Sequence, residues 1–361
     1  MEKDVFFMRR TLKLAKCAEG CVSPNPLVGA VIVKKNKVIS AGYHKKAGLP
    51  HAEIETIKKS KVSLENTTLY VNLEPCCHFG RTGPCADEII KQGIKRVVIA
   101  AIDPTLKVNG KSIKKLRKAG IKVDVGLCKE EAIKLNEVFF KNSKTNRPFV
   151  VGKAAQSLDG KTATCKGASK WITTLASRNF SKSLRDKYDC VLIGANTLIK
   201  DNPRLDGIKK IPYKAVISNK LNLPLNSYVF KKNPEKLIVF TSNKSKNKSK
   251  KFPSSVKIFF LKDNKGFLPP KEILRILYDL GITSVFIEGG SRTLGHFFMS
   301  KLVDKAYFFI SPKIIGGVKA LTSIGAEGFP CLKICPVIQN IEIKRLDEDI
   351  IVSGYPHYNN P

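Results

Sequence analysis

Three residues in the first quarter of the chain have the types that hold a metal, His51, Cys76 and Cys85, and Glu53 stands two positions after the imidazole. One imidazole nitrogen and two thiolates fill three corners of a tetrahedral zinc and leave the fourth to a water, the pattern of a catalytic rather than a structural zinc. Two thiolates nearly neutralise the ion and leave it a modest Lewis acid. A base must then take the proton of the water and later deliver it to a leaving group, and Glu53 is the candidate. Residues two apart do not share a helix face. His51 and Glu53 therefore serve one site only if His51 sits in the irregular first turn of a helix, where Pro50 favours placing it. Cys76 follows Pro75 at the end of an apolar run, and Cys85 follows Pro84 at the start of a helical one. The partial positive charge of a helix N-terminus helps keep such thiols deprotonated.

His-x-Glu joined to Pro-Cys-x-x-Cys is the spacing of zinc deaminases. Here the second spacing is longer, with Cys77-His78-Phe79-Gly80-Arg81-Thr82-Gly83-Pro84 between Cys76 and Cys85. This Gly-rich insert with His and Arg suits a loop reaching for a phosphate or sugar. Cys77 and His78 are decoys as ligands, because the side chains of neighbouring residues diverge from Cys76. A nucleic-acid deaminase shares the first constellation, and a purely structural zinc would need a fourth protein ligand.

The elements that must position these groups follow from hydrophobic patterning. Apolar β-rich runs at 28–33, 38–41, 68–73, 97–101 and 121–125 are separated by helical stretches near 52–59, 86–92 and 111–119, which predicts a sheet layered with helices. A further helix over 129–141 precedes the polar, Pro-terminated segment 142–148, read as a linker. After it strands are predicted at 149, 191–194, 215–218, 237–240, 285–288, 306–310, 341–344 and 350–353, with helices at 174–188, 271–280 and 293–301. The fold class is α/β in two domains, residues 1–143 and 148–361, as a length of 361 residues also suggests. The Lys-rich segment 244–255 has no periodicity and reads as a loop.

Composition narrows the function. Hydrophobic residues are 43% and charged residues 26%, ordinary globular usage. The net charge of +34 invites a nucleic-acid reading, but the excess is Lys scattered along the chain, and no aromatic residues interleave with its densest run to stack on bases. The expectation is an anionic small-molecule substrate and no nucleic acid. No apolar run is long enough to cross a bilayer, and the first residues lack a signal-peptide core, so a cytoplasmic protein without membrane contact is expected, with reduced cysteines. The cysteines other than Cys76 and Cys85 read as core filler or chance; Cys17 and Cys21, four apart, could share a helix face.

In the second domain no Gly-x-Gly-x-x-Gly follows a strand, so motifs alone do not reveal a dinucleotide. Glu288-Gly289-Gly290-Ser291 is a Gly-rich strand exit opening a helix, where backbone amides can approach a phosphate, though a lone Gly-Gly is more often a tight turn.

Taken together, Ser23-Pro24-Asn25-Pro26-Leu27-Val28-Gly29, Gly42-Tyr43-His44, Pro50-His51-Ala52-Glu53 and Leu73-Glu74-Pro75-Cys76-Cys77-His78-Phe79-Gly80-Arg81-Thr82-Gly83-Pro84-Cys85 resemble the bifunctional riboflavin-biosynthesis deaminase/reductase family. Lys153-Ala154-Ala155-Gln156-Ser157-Leu158-Asp159-Gly160-Lys161, Ser169-Lys170-Trp171-Ile172-Thr173, Leu184-Arg185, Gly194-Ala195-Asn196-Thr197-Leu198, Asp201-Asn202-Pro203 and Glu288-Gly289-Gly290 are similar to its reductase half. The resemblance implies an N-terminal cytidine-deaminase-like α/β/α sandwich and a C-terminal dihydrofolate-reductase-like domain. It implies zinc-dependent deamination of 2,5-diamino-6-(5-phosphoribosylamino)pyrimidin-4(3H)-one, then NADPH-dependent reduction of the ribosyl group to ribityl. Zinc would be held by His51, Cys76 and Cys85, with Glu53 as proton shuttle and Asn25 and His44 at the substrate. NADPH would be faced by Ala155, Trp171, Thr197, Asp201 and the turn Gly290, Ser291, Arg292, Thr293, Leu294, Gly295 and His296. The second substrate site would comprise Lys153, Ser169, Arg185, Leu205 and Glu288, with Arg185 gripping phosphate through both arms of its fork. The family continues after Leu205 with Thr-Val-Arg, whereas this chain reads Asp206-Gly207-Ile208-Lys209-Lys210, so Lys209 or Lys210 is left to replace the arginine. A deaminase with a decayed reductase half is the alternative; a homo-oligomer is a further expectation.

Overall fold

The computed structural model describes residues 2–79, 83–264 and 266–359. The chain divides into two compact units, Met1–Asn146 and Arg147–Pro361.

The first unit runs α1 (Glu2–Lys16), β1 (Gly29–Lys34), β2 (Lys37–Tyr43), α2 (Ala52–Lys59), β3 (Thr68–Leu73), α3 (Cys85–Lys91), β4 (Arg96–Ala101), α4 (Lys111–Lys118), β5 (Lys122–Val125), α5 (Lys129–Leu135) and α6 (Glu137–Thr145). Its sheet has the order β2-β1-β3-β4-β5, antiparallel around β1 and parallel from β3 to β5. Ala30, Ile32, Leu69 and Ile99 face a core with α2, α3 and α4, and Val31, Tyr70 and Val98 face another with α1 and α5. Covering on both faces explains why β1 and β4 read as unbroken apolar runs rather than alternating ones. The result is an α/β/α sandwich.

α1 was not foreseen. Phe7, Met8, Thr11, Leu12 and Ala15 form its buried stripe. It crosses β1 so closely that a Cβ on Gly29 would lie 2.3 Å from the Thr11 carbonyl oxygen, which is why that position in the motif must be glycine. The helix ends before Cys17, so Cys17 and Cys21 share no helix face, and both are exposed rather than core filler. Cys165 and Cys331 are exposed too, while Cys190 is buried in the second unit. The single helix expected over 129–141 is broken at Asn136, and α6 runs on to Thr145, into the segment read as a linker.

The second unit runs β6 (Phe149–Ser157), α7 (Leu175–Arg185), β7 (Cys190–Gly194), α8 (Ala195–Asp201), β8 (Tyr213–Ile217), α9 (Tyr228–Lys231), β9 (Leu237–Ser242), β10 (Lys257–Leu261), α10 (Pro270–Asp279), β11 (Ser284–Glu288), α11 (Ser291–Met299), β12 (Lys305–Ser311), β13 (Val337–Leu346) and β14 (Asp349–His357). The sheet order is β10-β9-β8-β7-β11-β6-β12-β14-β13, parallel from β10 to β12 and then antiparallel. In such sheets ligands gather beyond the carboxyl ends of the central strands. Here those ends belong to β6, β7 and β11, with α8 starting directly after β7 and α11 two residues after β11. The Lys-rich segment expected to be irregular instead forms a three-ten helix over Asn243–Lys251, whose first turn is capped by the Ser242 hydroxyl accepting from the Lys244 N–H.

Candidate active sites

His51 is the N-cap of α2, with extended backbone (φ −67°, ψ 161°), so its ring leaves the helix axis while Glu53 lies in the first turn. Cys76 stands three residues beyond β3, and Cys85 is the first residue of α3. His51 Nδ1 lies 3.3 Å from Cys85 Sγ and 3.5 Å from Cys76 Sγ, and the three ligand atoms fall within 4.8 Å of one another. Tetrahedral zinc with bonds of about 2.3 Å to sulfur and about 2.0 Å to nitrogen puts its ligands roughly 3.5 to 3.8 Å apart, so the triad fits the ion. The Cys85 N–H also donates to Cys76 Sγ at 3.3 Å. Hydrogen bonding from Cys85 and from His51 holds the Cys76 thiol down at about 4, a thiolate ready for a cation. Glu53, 3% exposed, is pushed up to about 7 by burial and by the neighbouring Cys76 charge.

A cavity of about 500 Å³ opens onto this cluster, lined among others by Asn25, His44, His51, Glu53, Cys76, His78, Asp103 and Thr105. The His44 ring lies between two partners: Nδ1 is 3.0 Å from the Pro50 carbonyl, and Nε2 is 3.0 Å from Asn25 Nδ2. A carbonyl only accepts, so Nδ1 carries the proton and Nε2 accepts from the Asn25 amide. Burial lowers the His44 pKa, in keeping with this neutral form. Both ring nitrogens are thereby occupied, and the ring itself lines the cavity. The imidazole fixes the amide of Asn25 and leaves Oδ1 as its acceptor.

Residues the motif reading passed over hold this wall in place. Asn72, fully buried in β3, accepts from the Gly29 N–H at 2.8 Å and donates to the Leu27 carbonyl at 2.9 Å. Asn136, at the break between α5 and α6, accepts from the Leu27 N–H at 2.7 Å and donates to the same carbonyl. Buried Glu74 ties down the opposite wall, accepting from the Ser112 hydroxyl at 2.7 Å, the Gly110 N–H at 2.9 Å and the Asp103 N–H at 3.3 Å. A polar residue inside an otherwise apolar strand, as Asn72 is, was the available signal. Cys77 turns away from the cluster, its thiol 3.8 Å from the Lys107 carbonyl, whereas His78 lines the cavity. Gly80, Arg81 and Thr82 of the insert lie outside the described residues.

The second unit carries a cavity of about 1150 Å³. Lys153, Ala155, Ser169, Trp171, Arg185, Thr197, Asp201, Leu205, Glu288, Gly290, Ser291, Arg292, Thr293, Leu294 and His296 all line it. At its floor Glu288 accepts from Arg185 Nε at 2.6 Å and the Ser181 hydroxyl at 2.9 Å, and Lys153 Nζ lies 3.8 Å away. Burial opposes the Glu288 charge, but Arg185 and Lys153 hold its pKa down at about 2. Burial lowers the pKa of Lys153. Gly289 and Gly290 have φ of +95° and +78°, and a Cβ on Gly290 would stand 3.2 Å from Thr293 Oγ1 and 3.4 Å from Thr197 Oγ1. Two left-handed glycines thus open a cradle at the start of α11. Trp171, 65% exposed with the Arg178 guanidinium 4.1 Å over its ring, is a cavity wall and not a core anchor. His296 packs on Phe267 with ring centroids 3.8 Å apart.

Three expectations for this cavity are corrected. Gly295 is not on the cavity wall; it is glycine because a Cβ there would meet the Gly325 carbonyl oxygen at 2.0 Å. Arg185 keeps less of its fork for a phosphate than expected, since Nε is bound to Glu288 and Nη1 donates one N–H to the Asp206 carbonyl at 2.9 Å. Lys209 and Lys210 do not replace the missing arginine at the cavity. Their backbone N–H groups donate to the Asp186 carboxylate at 3.0 and 3.1 Å in a turn away from the wall, and Ile208, in the arginine's place, is 61% exposed. Pattern reading also passed over Arg178, Ser181 and Lys182 of α7, all on this cavity.

Comparison with known proteins covers both units. Residues 1–101 match the cytidine and deoxycytidylate deaminase zinc-binding region, and residues 148–352 match the RibD C-terminal domain. The chain is 42% identical to the riboflavin biosynthesis protein RibD of Aquifex aeolicus (strain VF5), across 97% of this chain and 98% of that protein. It is 32% identical to RibD of Escherichia coli (strain K12), across 96% of this chain and 98% of that one. Among solved structures it is similar to a diaminohydroxyphosphoribosylaminopyrimidine deaminase/5-amino-6-(5-phosphoribosylamino)uracil reductase from Thermotoga maritima, with a TM-score of 0.85, 36% identity and 99% of both chains covered.

Proposed function

The chain belongs to the RibD family of bifunctional riboflavin-biosynthesis deaminase/reductases, and from that premise we propose that the residues above divide the two reactions between the two units. The first unit deaminates 2,5-diamino-6-(5-phosphoribosylamino)pyrimidin-4(3H)-one. The second reduces the ribosyl group of the product to ribityl with NADPH. The observation that carries this reading is the coexistence of a His51, Cys76, Cys85 triad beside buried Glu53 with a separate large cavity floored by Lys153, Arg185 and Glu288.

In the deaminase unit His51, Cys76 and Cys85 hold zinc. Bound there, zinc would supply Lewis acidity that lowers the pKa of a water. Glu53 takes the proton of that water and returns it to the departing amino group, which leaves as ammonia. A carboxyl whose pKa sits near the working pH can do both halves of this transfer. Asn25, its amide fixed by His44, accepts a hydrogen bond from the pyrimidine edge and turns the amino-bearing carbon toward Glu53.

In the reductase unit the Gly289-Gly290 cradle and the wall of Ala155, Trp171, Thr197, Asp201 and Ser291 to Leu294 would hold NADPH, which would supply the hydride. Ser169, Leu205, Arg185 and Glu288 seat the ribosyl chain. Lys153 gives a proton to the ring oxygen as the sugar opens, so that C1′ can accept the hydride and the oxygen leaves as a hydroxyl. Burial makes that proton easier to release. The rest of the work is positioning in a confined cleft.

The scattered lysine, without interleaved aromatics, favours a small anionic substrate over nucleic acid. No described helix is long and apolar enough to cross a membrane. The test is to supply purified chain with each intermediate in turn, with and without NADPH. Ammonia release must need zinc and not NADPH, and NADPH oxidation must need only the deaminated nucleotide. Failure of either arm removes that half of the reading, and deamination of transfer RNA in place of the nucleotide would favour the nucleic-acid alternative.

A further inference from the structure

The substrate of the second cavity carries a phosphate ester on the reading above, on which this inference rests, and the cations at the cavity floor are already committed. Lys153 and Arg185 both face Glu288, leaving a single net positive charge among the three. Arg185 spends Nε on that carboxylate and Nη1 on the Asp206 carbonyl. Arg178 spends Nη1 on the Thr173 carbonyl at 2.8 Å, and its plane lies on Trp171.

Among the described lysines on the cavity wall that stand outside these pairings, as Lys170 and Lys200 also do, Lys182 is the one carried by α7 beside Arg185. Arg178, Ser181, Lys182 and Arg185 lie at helical spacing on α7 and all face the cavity. Lys182 sits between the two arginines, is exposed, and makes no ion pair or side-chain hydrogen bond among the described residues. Its flexible stem lets the ammonium follow a terminal phosphate as a point charge, without the fixed geometry a guanidinium imposes. We propose that Lys182 is a phosphate-binding residue of the reductase site and sets its preference for phosphorylated over phosphate-free substrate.

The experiment compares Lys182→Ala, Lys182→Glu and Lys182→Arg with the unaltered chain. Steady-state NADPH oxidation is followed with the deaminated nucleotide and with the same compound lacking its phosphate. Loss of one charge-assisted hydrogen bond predicts a KM for the nucleotide raised about tenfold in Lys182→Ala, and further in Lys182→Glu. The rate at saturation should stay within about twofold, because the contact is made equally in the ground and transition states. The phosphate-free compound should show no change, and Lys182→Arg should restore the nucleotide KM. A nucleotide KM that stays put in Lys182→Glu, or a KM that rises equally for both compounds, overturns the proposal. An unaltered chain that fails to oxidise NADPH with either compound would instead strike the reductase reading itself.

Discussion

The two sites solve opposite problems of placement. The zinc triad and Glu53 gather four reactive groups from three short segments into a partly buried cluster whose three metal-ligand atoms lie within 4.8 Å of one another. The reductase cavity takes its lining from β6, α7, α8, β11, α11 and the loops between them, and its charges are balanced in pairs such as Arg185 with Glu288. A metal demands particular atoms at bond distance, whereas a dinucleotide and a phosphosugar are held by many weaker contacts over a long surface. The first site should therefore fail abruptly on a single substitution, and the second by degrees.

The largest expected effect is from Cys85→Ser. Zinc content should fall to background and deamination should drop below detection, while NADPH oxidation with the deaminated nucleotide is unchanged. Metal analysis and the two assays on one preparation check this, and a parallel loss of reduction would break the separation between units. Glu53→Gln should keep zinc bound yet lower the deamination rate by about 10³-fold, the scale of a lost acid–base group. The pH dependence follows in sign: the Glu53 pKa of about 7 means that proton uptake by its carboxylate is lost as pH falls below that value, so the acid limb of the rate profile should disappear in the variant.

Lys153→Met should slow reduction by about 10²-fold with deamination intact, a smaller loss because Arg185 and the cofactor cradle persist. His44→Phe should raise the KM for deamination about tenfold with zinc retained, since it frees the Asn25 amide while a phenyl ring can keep the edge-on packing on His51, 5.6 Å between centroids. The smallest effect concerns the frame. Arg96 binds both oxygens of Asp4 at 2.9 Å, chiefly through hydrogen bonds that hold the Asp4 pKa at about 2. Because the folded value lies below the ordinary 3.8, the pair stabilises the fold above that pH, and the contribution is lost as pH falls toward 2. Arg96→Ala should cost about 1 kcal/mol at neutral pH in denaturant unfolding, and progressively less as pH falls through about 2.

The same contrast explains what could be seen in the sequence. His51, Glu53, Cys76 and Cys85 were legible because ligand chemistry restricts residue type and spacing, and the central strands because both faces are buried. The break at Asn136 was not, since the helical pattern continues through it and the reason lies over a hundred residues away at Leu27. Nor was the role of His44, which depends on which partner each ring nitrogen meets. Beyond the Glu288-Gly289-Gly290-Ser291 strand exit the reductase cavity carried no short motif; likeness to a family supplied its other residues. That likeness could not say how Arg185 divides its fork, or that Lys182 stands beside it. α8 and β10, seven and five residues long, are too short for periodicity to declare them.

The account rests on zinc held by one imidazole and two sulfurs next to Glu53, and X-ray absorption at the zinc edge of the loaded chain reads this directly. The predicted spectrum has two sulfurs at about 2.3 Å and one imidazole nitrogen at about 2.0 Å, with a fourth light atom that pyrimidine ligands perturb. Three sulfurs, or four protein ligands insensitive to any pyrimidine, would contradict it.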